Sequence, residues 1–219
     1  MQLLPYAILD MDGTLLDSTG MWDVVADRVL ARWGKTFPRE DRRENMTLTI
    51  EGSAAFYVDR YHLPVTPQEA AKIIREEARR AYAEDAVLKP GAVEAMDLMK
   101  ARGVKMCVAS GTEKALVDAA LSRFGILDRF AFTTDCTNPQ GKAEPEVYLR
   151  AMEQLGAPGP AQVMVFEDSP TAVRTAKQAG FFTVAVRDTF TEEDWPATSA
   201  AADAAINAWP DWVAELSRA

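Results

Sequence analysis

Asp10 and Asp12 stand two residues apart at the end of the apolar run Tyr6-Ala7-Ile8-Leu9, and Gly13 follows them. The run reads as a short buried strand, and Gly13 lets the chain turn away from it. In an open α/β sheet, ligands bind beyond the carboxyl ends of the strands. Two acids placed there face a binding crevice. Left unshielded they repel, and one carboxyl is driven toward its protonated form. A divalent cation with hard oxygen ligands removes that conflict. The pair therefore points to metal-assisted chemistry with a carboxylate nucleophile.

A lone pair of acids at this spacing reads more readily as an acidic turn closing a strand. The longer string Asp10-Met11-Asp12-Gly13-Thr14-Leu15-Leu16-Asp17-Ser18 is more specific. It resembles the DxDGT signature of the haloacid dehalogenase superfamily of phosphohydrolases. That resemblance implies Asp10 as the nucleophile that takes up the phosphoryl group. It implies Asp12 as the general acid and base, with its main-chain carbonyl as a metal ligand. The expected metal is Mg²⁺, held by Asp10, Asp12 and Asp168.

Three later stretches match the remaining motifs of the superfamily in order. Ser110-Gly111-Thr112 follows the apolar Val108-Ala109, where a hydroxyl and backbone N–H groups suit an anionic phosphate oxygen. Alone it is a common strand-to-helix turn. Lys142 sits in Gly-Lys-Ala-Glu-Pro-Glu-Val-Tyr, and a single lysine is ordinarily surface charge. The resemblance makes it the residue that screens Asp10 from the incoming phosphate. Ala143 stands where the family usually has proline, a change of loop stiffness and not of charge. Glu167-Asp168 close another apolar run and continue into Ser169-Pro170. The resemblance assigns Asp168 directly to the metal and Glu167 to a role through a water or a neighbouring side chain. Substrate binding falls to Ser110, Gly111 and Lys142. His62, in Arg60-Tyr61-His62-Leu63-Pro64, has no partner at ligand spacing and is left out of the site.

Strands and helices alternate so as to deliver these residues. Strands are expected at Tyr6–Leu9, Val104–Ala109, Phe130–Thr134, Val163–Phe166 and Phe182–Val186. Between Thr19 and Asp85 only helical patterns occur, including a stripe of Trp22, Val25, Val29 and Trp33. Thr66-Pro67-Gln68-Glu69 forms a capping box ahead of a helix carrying Ile73, Ile74, Ala78, Ala81 and Tyr82. Ser169 is expected to cap the helix that starts at Pro170. Trp209 and Trp212 are expected to pack a last helix onto the core, while the acidic, Ala-rich stretch from Thr191 to Ala205 gives no clear pattern. The order describes an α/β fold: a Rossmann-like parallel sheet with helices on both faces and an inserted all-helical cap. The expected division is a core of residues 1–16 and 87–219, with a cap of residues 17–86.

Composition narrows the partners. A formal net charge of −9 over 219 residues argues against nucleic acid, which demands clustered Lys and Arg. Only Cys107 and Cys136 are present, so reduced thiols and a cytoplasmic setting are expected. The N-terminal Met-Gln-Leu-Leu-Pro has no basic region followed by an apolar segment, and no run reaches the length of a membrane span. A monomer acting on a small phosphorylated metabolite is the expectation.

The leading reading is a Mg²⁺-dependent phosphatase. The second acid, Asp12, argues against a dehalogenase, which lacks it. A β-phosphoglucomutase-like isomerase shares the motifs and is the alternative. Such mutases carry a histidine about twelve residues after the nucleophile, where this chain has Trp22. A catalytically idle binding protein is the third reading, and it has no support while every expected catalytic position is filled.

Overall fold

The structure is a computed structural model and describes residues 3–45, 48–138 and 140–218. Met1 and Gln2, which open the segment considered for targeting, lie outside the described residues. The chain begins with β1 (Tyr6–Leu9) and β2 (Leu16–Asp17), then runs through α1 (Thr19–Ala31), α2 (Arg42–Asn45), α3 (Ile50–Tyr61) and α4 (Pro67–Glu84). Next come β3 (Val87–Leu88), α5 (Ala92–Ala101), β4 (Lys105–Ser110), α6 (Lys114–Arg123), β5 (Thr133–Asp135) and α7 (Glu146–Leu155). The chain closes with β6 (Val163–Glu167), α8 (Pro170–Gln178), β7 (Phe182–Val186), α9 (Trp195–Ala201), β8 (Ala204–Ile206) and α10 (Trp209–Arg218).

Six strands form one parallel sheet in the order β5-β4-β1-β6-β7-β8. β1 lies between β4 and β6, with Ile8 opposite Cys107 on one side and Val165 on the other. The chain works outward from β1 to β4 and β5, then returns to β6 across β1. That reversal makes a switch point, where a crevice opens at the carboxyl ends of the strands. Alternation along the strands supplies two apolar faces. Ala7, Leu9, Met106, Val108, Met164 and Phe166 join one core, with α5 and α10 over it. Ile8, Cys107, Ala109, Val163 and Val165 join the other, under α7.

The helices α1 to α4 are inserted as a helical cap between β2 and β3, which pair antiparallel. This two-stranded ribbon is absent from the sequence reading, because two residues per strand leave no period to detect. α4 starts with the expected capping box: Thr66 and Glu69 exchange side-chain and backbone hydrogen bonds, and Pro67 is at the first turn. His62 ends α3 in a left-handed conformation and is exposed, well away from chemistry.

Several expectations need correction. The third sheet strand is Thr133–Asp135: Phe130 ends a short 3-10 turn, Ala131 and Phe132 bond to β4 as the chain leaves that turn, and the paired register starts at Thr133. β4 starts at Lys105, since Val104 is still bonded back to Met99 in the turn after α5. Ser169 occupies the N-cap of α8 but makes no side-chain capping bond. A sixth strand, β8, lies in the acidic, Ala-rich stretch; it pairs with β7 and ends at the buried Ile206. Trp209 and Trp212 do pack inward, both against Phe166, and the Trp209 indole N–H donates to the Thr14 carbonyl at 2.9 Å. That bond ties α10 to the loop carrying the two acids. Among the described residues, no helix is long and apolar enough to cross a membrane.

Candidate active site

The loop after β1 carries Asp10 to Gly13. The Asp10 N–H donates to the Phe166 carbonyl at 3.0 Å, extending the sheet by one bond, and its side chain is buried. Gly13 has φ +77°, and a Cβ there would overlap the Asp168 carboxylate and stand 2.6 Å from Thr19 Oγ1. Only glycine allows both the turn and that close approach. Ser110 ends β4, Glu167 ends β6, and Asp168 follows it. All the acids therefore arise from adjacent strand ends.

Lys142 lies in a single 3-10 turn before α7 and reaches back across the crevice. Its ammonium donates to Asp10 Oδ1, and to Glu167 Oε1 at 2.5 Å. The Tyr148 hydroxyl donates to the same Glu167 oxygen at 2.7 Å. Burial opposes the lysine charge, yet the two carboxylates hold its pKa well above the usual lysine range. One cation does not balance three acids. Burial pushes Asp10 up to about 8 against the pull of Lys142, with Glu167 and Asp12 adding to the rise. Burial also drives Asp168 well above the carboxylate range, helped by Asp10, Glu167 and Asp188.

Asp10, Glu167 and Asp168 each offer an oxygen, and these lie within 4.8 Å of one another. Thr19 Oγ1, beside Gly13 and on the same cleft, is buried and has no hydrogen-bond partner among the described residues. A surplus of buried negative charge, oxygen donors and an unpartnered hydroxyl fit a hard divalent cation. The Asp168 carboxylate is in the right place to hold it, and Glu167 is already committed to Lys142 and Tyr148.

Asp12 is surrounded differently. Ser18 Oγ donates to Asp12 Oδ1 at 2.5 Å, and Thr112 Oγ1 donates to Oδ2 at 2.9 Å. The Tyr82 hydroxyl, from α4, lies 2.8 Å from Oδ1 and 2.7 Å from Oδ2. Three neutral hydroxyls hold this carboxylate, and no cation among the described residues touches it. Ser110 is buried at the crevice floor and accepts from the Thr112 N–H at 3.1 Å. The space in front of Gly111 is open, since a Cβ there would meet nothing within 4 Å.

A cleft of about 440 Å³ joins these groups, with Asp10, Asp12, Ser110, Gly111, Lys142 and Asp168 on its floor. Every residue assigned to the site from sequence lines it, Glu167 included. Its upper wall comes from the helical insertion, through Trp22, Asp23, Asn45 and Ser53. Asp23 pairs with Arg42 at 2.5 Å, and Asn45 Oδ1 is buried with no partner among the described residues. Of these, Trp22 is marked in the sequence by the mutase-histidine position, whereas Asp23, Asn45 and Ser53, with Ser18 and Tyr82, have no place in the site read from sequence. Tyr82 was visible only as one member of an apolar helical stripe.

A family model, haloacid dehalogenase-like hydrolase, matches residues 6–180. The chain belongs to the haloacid dehalogenase-like hydrolases. A Drosophila melanogaster member described as a probable pseudouridine-5'-phosphatase is 31% identical over 189 residues, covering 84% of this chain and 81% of its own. A Thermotoga maritima phosphorylated carbohydrates phosphatase is 29% identical, covering 79% and 80%. The fold matches that of a crystal structure of CbbY from Rhodobacter sphaeroides with phosphate, at TM-score 0.82 and 23% identity over 94% of this chain and 95% of that one. Within the haloacid dehalogenase-like hydrolases, this chain brings all four sequence motifs to one crevice.

Proposed function

We propose that the protein is a Mg²⁺-dependent phosphoric monoester hydrolase acting on a small phosphorylated metabolite. The observation that carries this reading is the contrast at the crevice floor: Asp10 held by Lys142 among acids, Asp12 held by hydroxyls alone. Residues 1–16 and 87–219 act as the catalytic core, and residues 17–86 as the cap.

Asp10 attacks phosphorus, and the bond to the leaving oxygen breaks to give an aspartyl-phosphate. Asp12 gives its proton to the departing alkoxide, so the alcohol leaves neutral. The same carboxylate then takes a proton from the water that attacks the aspartyl-phosphate, releasing inorganic phosphate and restoring Asp10. Lys142, Ser110 and the backbone at Gly111 hold the phosphate oxygens, spreading charge as it shifts. Asp10, Asp168 and the Asp12 carbonyl would hold Mg²⁺, with Glu167 supporting through Lys142. When bound, the cation supplies charge neutralisation for the anionic phosphoryl group.

The cap wall of Trp22, Asp23, Asn45 and Ser53 supports a leaving group that carries hydroxyls. The relatives named for pseudouridine-5'-phosphate and for phosphorylated carbohydrates support the same class. Free thiols at Cys107 and Cys136 and the acidic net charge support a cytoplasmic monomer that binds neither nucleic acid nor membrane. Trp22 cannot make the proton-linked contact of a mutase histidine, which supports hydrolysis over isomerisation.

The test is a panel of phosphorylated polyols, sugars and nucleosides assayed for phosphate release with and without Mg²⁺. Release from at least one, silenced by chelator, is the expected result. No release from any member, or full activity in excess chelator, contradicts the reading. Rapid conversion of β-glucose 1-phosphate to glucose 6-phosphate, primed by the 1,6-bisphosphate and with little free phosphate, would instead support a mutase.

A further inference from the structure

Tyr82 is the one contact to Asp12 that neither the motifs nor the metal site requires. It lies two residues before the end of α4, seventy residues from Asp12 in sequence. Its side chain is buried, and its hydroxyl straddles both Asp12 oxygens. Facing a carboxylate, which only accepts, the hydroxyl acts as a donor. The ring packs edge-on against Trp22, centroids 6.1 Å apart at 82°. The main chain is fixed too. Arg123 of α6 donates to the Tyr82 carbonyl at 2.7 Å and to the Ala86 carbonyl at 2.9 Å. Tyr82 is therefore clamped to the core at its backbone while its side chain reaches the acid.

A buried tyrosine hydroxyl needs a partner, and a carboxylate elsewhere would serve. The geometry here goes further. Thr112 Oγ1 is 3.1 Å from the Tyr82 hydroxyl and also bonds Asp12 Oδ2. Ser18 takes only Oδ1. Tyr82 alone can serve either oxygen, whichever one carries the proton. A carboxyl that must both give and take a proton needs such a donor to keep its orientation through both steps.

We propose that the Tyr82 hydroxyl is a positioning residue for Asp12, holding the carboxyl in the orientation that passes a proton to the leaving alcohol. The proposal rests on the phosphatase reading above. It makes the cap helix α4 part of the proton-transfer machinery and not only of the substrate wall.

The test is Tyr82→Phe, which keeps the ring against Trp22 and removes only the hydroxyl. Values of kcat/KM are compared for two esters with Mg²⁺ present. Glycerol phosphate has a poor leaving group that needs a proton; p-nitrophenyl phosphate has a good one that does not. The expected result is a loss of about 10-fold to 100-fold for glycerol phosphate, smaller than the roughly 10²–10⁴-fold of the proton donor itself because Asp12 remains, with less than a threefold change for p-nitrophenyl phosphate. Retained activity on the aryl ester also reports that the variant is folded. Equal losses on both esters, or no loss on either, overturn the proposal. The second arm places Tyr82→Phe in an Asp12→Asn background. If Tyr82 acts through Asp12, it adds less than a twofold further loss there; a full additive loss overturns the proposal. A parent enzyme that hydrolyses neither ester fails the phosphatase reading itself, a result distinct from all of these.

Discussion

Asp10 and Asp12 sit two residues apart on one loop and are held in opposite ways. Asp10 is locked by charge: Lys142, from the 3-10 turn before α7, bonds it, and Glu167 and Asp168, from the end of β6, crowd it. Asp12 is held by Ser18, Tyr82 and Thr112, three hydroxyls from the start of α1, the end of α4 and the turn after β4. A fixed cation suits a group that must stay ionised and attack. Hydroxyls can donate to a carboxylate and accept from a carboxylic acid, which suits the proton-passing role proposed for Asp12. The difference teaches that one loop can host two carboxylates with separate tasks when distinct parts of the fold supply their partners.

The severest way to break this comparison is Asp10→Asn. The amide is nearly isosteric and cannot attack phosphorus, so kcat should fall by at least about a thousandfold with the melting temperature preserved. Turnover within tenfold of the parent would remove Asp10 from the reaction. Lys142→Met comes next. It strips the shared cation from Asp10 and Glu167, and removing one partner of a buried ion pair costs about 3–5 kcal/mol. Denaturant titration should register that loss, with activity down by more than a hundredfold. A variant as stable as the parent would show that the acids need no fixed cation.

Asp168→Ala tests the metal side without touching Asp12. The Mg²⁺ concentration for half-maximal activity should rise by about 10-fold to 100-fold, and an unchanged requirement would place the cation elsewhere.

The smallest effect is a stability measurement. Asp10 is raised from 3.8 to about 8, so between those values the folded protein keeps a proton that the unfolded chain releases. Folding stability in chelator should therefore fall as pH rises across that window. Mg²⁺ binds the ionised carboxylates, so its effect has the opposite trend. Saturating Mg²⁺ should raise the melting temperature by about 5 °C at pH 8 and by much less at pH 5. An equal rise at both values would separate cation binding from these acids.

The two halves of the comparison were not equally legible in the sequence. Asp10, Ser110, Lys142 and Asp168 each stand beside a strand end or a turn whose apolar run and glycine or proline mark it, so motif and position coincide. The parallel sheet was legible for the same reason, apart from β8, whose Ala204-Ala205 lacks β-branched residues, and the two-residue strands β2 and β3. Of the hydroxyls around Asp12, Ser18 and Thr112 lay inside the motif strings without a role, and Tyr82 was hidden. Tyr82 fits the apolar stripe of α4, and nothing in helical spacing says that its oxygen meets a carboxylate across the crevice. Asp23 and Asn45 are ordinary polar residues until the fold sets them in one wall. Charge clusters built by neighbouring strand ends leave a local signature; contacts made between a cap helix and the core do not.

The central claim is that Asp10 carries the phosphoryl group while Asp12 manages the proton. Asp12→Asn with p-nitrophenyl phosphate and Mg²⁺ tests it most directly. The leaving group needs no proton, so the first step should proceed; the second lacks its base and should stall. The account predicts a burst of nitrophenolate stoichiometric with protein, and acid-quenched peptide mass spectra with the phosphoryl group on Asp10. Steady turnover within tenfold of the parent with no burst, or a phosphoryl group on any other residue, would contradict it.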